Sequence, residues 1–587
     1  MVFELLVLVP TLLASLFCIA VKDGRVRLTG YVSVFASVIT LAIAVYLLVY
    51  APVSTTNISW FTVAGHTFNI SLTSAHINMM LLALVAFISP LIMIYSLGFF
   101  EETHEHRRFY AEMNLFAASM LFFAMAANFV SLIIAWEGLG ITSYLLIGFW
   151  YRKRDAAVAA RESISIIIIG DVAMLAALVI LLNAYGTTSF SYISAQHAGY
   201  QIYLAFALVM LAIFTKSAQF PFSGWLPKAM EGPTPVSAFL HSSTMVKAGV
   251  FLAIIFMPLL FRLGLLPVVF VIGAITAMIG VLNAISGTHI KRILAYSTLE
   301  DLGLMLMAVG LNSVMAAVLL FVTQTFYKAI LFLDAGSITR ANNEEYNIFK
   351  LRESGGNKLI FWTTMIGVLS IAGIFPLSGF LGKIGLEVSA TNIYTYILLV
   401  LIELGTSFYI FRWIFVPMRN SRKGEILEKL KGTPLSMVIP QTILAFAVVA
   451  ATSLYFFLPQ YLGISNINFG YSAPIVETIL VVVGASIAYY IYRKGHKIPT
   501  NKTLFAVVHS IDWINALYLV VSKLALLTSR AVEFIDYLVY LIFALCGFVA
   551  IVVGRRFRNI VSGNLNLYTA WIVIGMAILI IAMVFVL

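Results

Sequence analysis

Charge and cysteine are scarce in this chain. Only 10% of its 587 residues are Asp, Glu, Lys or Arg, where a soluble domain carries about a quarter. Its two cysteines, Cys18 and Cys546, stand far apart in apolar runs, and no CxxC pair, His/Cys cluster, GxGxxG or GKS loop occurs. Those absences speak against an iron–sulfur, haem or phosphate-cradling site, so no cofactor and no metal are expected. What fills the chain is apolar: 61% of residues are hydrophobic. Apolar stretches long enough to cross hydrocarbon as helices recur from end to end. Outer-membrane strands are shorter and alternate. The expected fold is an all-α polytopic membrane protein with about 16 transmembrane helices.

The run from Val2 to Val21 is too long for a signal h-region and reads as the first span. A net charge of +11 raises the question of nucleic acid, and its placement answers it. Basic residues gather after odd-numbered spans: Lys22, Arg25 and Arg27; Arg107 and Arg108; Arg152, Lys153 and Arg154; Lys291 and Arg292; Arg419, Arg422 and Lys423; Arg493, Lys494 and Lys497. The loops after even-numbered spans have no lysine and one arginine, Arg262. The positive-inside rule then puts the odd-to-even loops in the cytoplasm and the N-terminus outside. The lipid bilayer is the expected partner and nucleic acid is not.

Residues 220–228 read FPFSGWLPK and residues 375–383 read FPLSGFLGK, a match at six of nine places across an offset of 155. Each string lies inside an apolar run, near 202–229 and 359–387, which marks both spans as interrupted. Five spans separate the copies, an odd number, so the second copy is inverted relative to the first. Inverted repeats with broken helices are a common transporter plan. The expected organisation is 1–110, three N-terminal spans; 111–260 and 261–417, two inverted five-helix repeats; 418–502, two further spans; 503–565, a lateral amphipathic helix; and 566–587, a last span. The stretch 503–560 also fits two more spans, because Asp512, Lys523, Arg530, Glu533 and Asp536 are spread through apolar sequence.

An ionised side chain at the bilayer centre costs roughly 2.5–3.5 kcal/mol on insertion scales. Even so, Glu137, Asp171, Lys216, Lys247, Glu300, Asp301, Lys328, Asp334, Lys383 and Glu403 all fall inside spans. Burial disfavours a lysine's charge and a nearby carboxylate favours it, so a lysine between the two takes up and releases protons. Lys216, Lys247, Lys328 and Lys383 lie near mid-membrane in separate spans, with Glu137 as candidate counter-ion. No packing role accounts for four such lysines. Glu300 and Asp301 fit either a buried site or the solvated end of a span. Asp334 reads as a structural partner of Lys328 or Arg340. His241, near a GPTP turn, reads by itself as a packing residue.

The segments WEGLGITSYLLIGFWY (136–151), KSAQFPFSGWLPKAMEGPTPVSAFLHSSTMVKAG (216–249), HIKRILAYSTLEDLG (289–303) and FYKAILFLDAGS (326–337) resemble the antiporter-type proton-pumping subunits of respiratory complex I, the subunit L type. Cation/proton antiporter complexes and membrane-bound hydrogenases contain relatives. The resemblance covers about residues 60–415. It implies roles for Glu137 and Lys216 as an ion pair, for Lys247, for Lys328 as the central lysine, for Lys383 as the terminal one, and for Asp171 and His241 on the proton route. Gln324 departs from the family, which often carries a histidine four residues before the central lysine. The resemblance further implies a non-redox subunit of an NADH/quinone-type oxidoreductase in a prokaryotic plasma membrane. Its partners would be sister membrane subunits, held through the lateral helix, with the redox subunits reached indirectly. A sodium/proton antiporter module is the alternative, as is a membrane partner that drives a soluble protein. A purely structural anchor is disfavoured by the buried lysines.

Overall fold

The computed structural model describes residues 3–493, apart from 22–25, 64–65, 101–105, 197–198, 352–357, 420–432, 468 and 470–471, and parts of 523–578. Lipid offers the backbone no hydrogen-bond partner, so each apolar run must satisfy its own N–H and C=O groups and folds as a helix. Through residue 493 the principal helices are α1 Val9–Ala20, α2 Val26–Tyr50, α3 His76–Phe99, α4 His106–Met125, α5 Phe129–Ile147, α6 Arg154–Tyr185, α7 Tyr200–Lys216, α8 Thr234–Ser242, α9 Met245–Ile255, α10 Leu266–Ser286, α11 Ile290–Gly310, α12 Val314–Ala341, α13 Lys358–Ala372, α14 Ser378–Val388, α15 Ile393–Arg419, α16 Leu435–Ala450 and α17 Ser472–Arg493. A helix or helix pair stands at every span expected up to residue 492. Among the described residues, 12 helices are long and apolar enough to cross a membrane.

The contacts divide the chain into two units, Met1–Val508 and His509–Leu587. The first holds both sequence repeats. In the second, Asp536–Val553 is an apolar helix of spanning length. Most of the expected lateral helix, and most of the last span, lie outside the described residues.

Two features depart from the sequence reading. The outer connection after α2 is an antiparallel hairpin, β1 Thr55–Val63 with β2 His66–Thr73. Both strands alternate Thr, Ser and Asn with Ile, Phe and Trp, a period-2 pattern that suits a half-covered ribbon. The eighth span, expected to be continuous, is broken between α8 and α9. Ser243 (φ −135°, ψ 0°) and Thr244 (φ −122°, ψ −118°) are non-helical there, and the Thr244 hydroxyl donates to Phe239 O at 2.6 Å. Run-length reading cannot see this break, because it contains neither proline nor glycine.

Both repeated strings fall at helix breaks, between α7 and the short helix Trp225–Lys228, and between α13 and α14. The Phe220–Pro221 and Phe375–Pro376 bonds are both cis. The two copies differ in where they keep a buried lysine. Lys383, in the second string, is 3% exposed, whereas its sequence mate Lys228 is half-exposed and paired with Glu162. In the first copy the buried lysine is Lys216, before the break.

The helices are apolar outside and carry their charges inside. On α6, Ile168, Val172, Leu175 and Val179 face outward, while Asp171, Met174 and Leu181 are buried. α12 is buried from Met315 to Thr339 and forms the centre of the unit. α10 and α11 approach backbone to backbone through Gly273 and Gly303. A Cβ on Gly273 would sit 2.7 Å from Gly303 O, and one on Gly303 would sit 2.6 Å from Ala277 N. Small residues are how helices in lipid come this close, and this seam fixes the height of Glu300 and Asp301 on α11.

Candidate functional site

The buried charges form a row through the first unit. At one end, Lys216 closes α7. Its Nζ lies 3.5 Å from Asp171 Oδ1 on α6 and donates to Trp136 O on α5 at 2.9 Å. The indole Nε1 of Trp136 donates to the same Asp171 oxygen at 2.7 Å, and the ammonium stands 4.6 Å from the indole centroid. Gly140 leaves room for this knot, since a Cβ there would be 3.4 Å from Lys216 Nζ. The ion pair expected between Lys216 and Glu137 is not made. Glu137, one residue past Trp136, is half-buried, and Asp171 takes the contact.

The next lysine, Lys247, is on α9, just after the break that sequence missed. It is fully buried and donates to Phe321 O at 2.5 Å and Thr325 Oγ1 at 2.6 Å on α12. Thr325 is one helical turn before Lys328. Lys328 Nζ lies 2.9 Å from Asp301 Oδ2 on α11 and 2.5 Å from Ser297 Oγ, one turn away on the same helix. Asp301 is therefore its partner. Asp334 instead accepts from Thr363 Oγ1 at 3.3 Å.

Glu300 and Asp301 are 0% and 1% exposed, so the solvated alternative for them fails. Glu300 reaches across to α15, where Tyr409 OH donates to it at 2.6 Å and the Thr406 hydroxyl donates as well. One turn from Thr406 on α15 is Glu403, buried at 2%. Beyond it Lys383 on α14 stands 3.8 Å from Glu477 Oε1 on α17.

His241 and Gln324 lie beside the row. His241 is 1% exposed with its ring stacked on Phe332, 5.2 Å between centroids. Its carbonyl accepts from Gln324 Nε2 at 3.4 Å, and its Nδ1 has no hydrogen-bond partner among the described residues.

Each of the four lysines sits against acceptors on a neighbouring helix, and on α12, α11 and α15 the polar residues Thr325 and Lys328, Glu300 and Asp301, and Glu403 and Thr406 stand within a turn of one another. Sequence reasoning missed the hydroxyl links Ser297, Thr325, Thr406 and Tyr409, whose residue types are unremarkable in apolar helices. It also passed over Glu387 and Glu477, which lie near span ends, where a carboxylate reads as solvated.

Residues 126–408 match the family described as NADH:quinone oxidoreductase/Mrp antiporter, transmembrane, and residues 60–110 match the N-terminus of NADH-ubiquinone oxidoreductase (complex I) chain 5. NADH-quinone oxidoreductase subunit L of Mycobacterium tuberculosis is 38% identical over 336 residues, 55% of this chain and 52% of that protein. The chain thus spans about half the length of that relative. Subunit L of Buchnera aphidicola is 31% identical over 554 residues, 88% of this chain and 89% of that one. In the solved Mrp complex from Dietzia sp., one chain superposes with a TM-score of 0.71 at 23% identity, over 88% of this chain and 60% of that chain, which is a likeness of fold. The chain belongs to the family of NADH-quinone oxidoreductase subunit L and complex I chain 5.

Proposed function

We propose that this chain is a proton-translocating membrane subunit of a complex I-like respiratory oxidoreductase, driven by redox chemistry that other subunits carry out. The observation that carries this reading is the row itself. Lys216–Asp171, Lys247–Thr325, Lys328–Asp301, Glu300–Tyr409 and Lys383–Glu477 follow one another across five helix interfaces inside a bundle whose outside is apolar.

Protons enter from the cytoplasmic side and load the lysines. A field change at the Lys216–Asp171 end, sensed also by Glu137, shifts charge along the row, and Lys383 discharges on the far side. His241 borders the route next to Lys328. The basic loops face the cytoplasm of a prokaryotic cell, and the N-terminus faces out. Residues 111–260 and 261–417 act as inverted halves, each contributing one broken helix. Sister membrane subunits of the complex are the chain's partners.

The test is proton uptake into vesicles that contain the assembled complex, driven by its own electron donor. Lys216→Ala and Lys383→Ala should each stop uptake while the complex still assembles on native gels. Arginine should rescue neither position, because it does not release its proton. Full uptake by both alanine variants at normal assembly would refute the relay.

A further inference from the structure

The far end of the row holds more acid than the relay uses. Glu387 on α14, Glu403 on α15 and Glu477 on α17 are 4%, 2% and 0% exposed, and carboxylate oxygens of all three lie within 4.8 Å of one another. Carboxyl groups held this close and away from water share protons, because their negative charges repel. Among the described residues no donor outside the cluster makes a hydrogen bond to either oxygen of Glu387, either oxygen of Glu477, or Glu403 Oε2.

Among the described residues one cation, Lys383, faces this cluster. Lys383 lies one turn before Glu387, is 3% exposed, and points its Nζ at Glu477 Oε1 from 3.8 Å with no hydrogen bond of its own. Gly373 (φ +89°) keeps the approach open, since a Cβ there would be 3.1 Å from both Lys383 Cδ and Glu477 Cδ. Among the described residues, Glu300, Asp301 and Lys328 also act on Lys383, and Tyr396 faces all three carboxyls. Three ionised carboxylates against one ammonium would leave a net charge of −2 in a dry site, and like charges this close do not all ionise.

We infer that Glu387, Glu403 and Glu477 form a proton-holding carboxyl cluster that receives the proton from Lys383 and passes it to water at the end of α14. This deepens the relay reading and rests on it. In the step, an N–H bond of the Lys383 ammonium breaks and an O–H bond forms on Glu477, which leaves a neutral amine and a carboxylic acid. Protons then shift through Glu403 to Glu387, one residue from the end of α14 and two from Ser389, where the chain turns into the exposed Thr391–Asn392 connection. Lys383 is reprotonated from the Glu300 side. The cluster thus separates proton acceptance from release, so that the lysine never faces open water.

The test reads protons directly. Infrared spectra of the wild-type complex at neutral pH, with and without ¹³C-labelled glutamate, should show a protonated carboxyl band that shifts with the label. Glu403→Gln should remove that band, and Glu387→Gln and Glu477→Gln should each weaken it. All three variants should lose proton uptake at normal assembly. Absence of the labelled band in the wild type would overturn the proposal, whatever the variants do. Displacement of the band by millimolar Na⁺ at constant pH would overturn it in favour of a sodium site. Normal uptake by all three variants, with Lys216→Ala inactive, would overturn the cluster and spare the relay. Normal uptake by Lys216→Ala would remove the relay beneath it.

Discussion

The Lys216–Asp171 contact yields the sharpest number. At 3.5 Å and an effective dielectric of about 20, the gross attraction is about 5 kcal/mol. Desolvation offsets much of it, but removing one partner of a buried pair still costs about 3–5 kcal/mol. Asp171→Asn preserves the side-chain volume and the oxygen that accepts from Trp136 Nε1, so it removes charge and little else. Lys216→Met preserves the apolar stem. Each single variant should lose about 3–5 kcal/mol of stability. The double variant should fall short of the sum by about 2–3 kcal/mol, because neither half is left uncompensated. Glu137→Gln, which breaks no contact with Lys216, should stay within about 0.5 kcal/mol of wild type. The assay is reversible denaturation of the solubilised chain, followed by tryptophan fluorescence because Trp136 is part of the knot. Additivity of the two single variants, or a Glu137→Gln cost as large as that of Asp171→Asn, would refute the pairing and restore Glu137 as the partner.

Further outcomes follow from other parts of the molecule. Cysteines placed at Arg154 and Thr188 should label from opposite sides of the membrane with an impermeant reagent, and labelling from one side would refute the proposed orientation. Gly303→Leu should force α10 and α11 apart at the point where a Cβ would lie 2.6 Å from Ala277 N, at a cost of about 1–3 kcal/mol; a thermal midpoint equal to wild type would contradict the close seam. Burial, reinforced by Arg292 and Lys291, pushes the loop residue His289 down to about 3, so between that value and about 6.5 the unfolded chain binds the extra proton. Stability should therefore drop as pH falls through this window, and His289→Asn should flatten the slope measured by thermal unfolding; an unchanged slope would show that the imidazole is solvated.

Much of this protein is legible in one dimension. Hydrocarbon permits few backbone solutions, so run length alone located the helices, and basic residues between runs supplied an orientation to test. The two FP strings marked the breaks between α7 and Trp225–Lys228 and between α13 and α14, because proline removes a donor and glycine loosens the chain. The lysines announced themselves through their cost in lipid. Pairing was a different matter. The partner of Lys216 is set by how α5, α6 and α7 rotate against one another, which brings Asp171 into contact and leaves Glu137 aside. At the α8–α9 break the Thr244 hydroxyl donates to Phe239 O, and a threonine looks the same in sequence whether or not it makes such a bond. Glu387, Glu403 and Glu477 are separated by up to 90 residues on three helices. Each by itself is a carboxylate in an apolar segment, and only the packing of α14, α15 and α17 makes them a cluster, because the repulsion that forces them to share protons depends on distance in space.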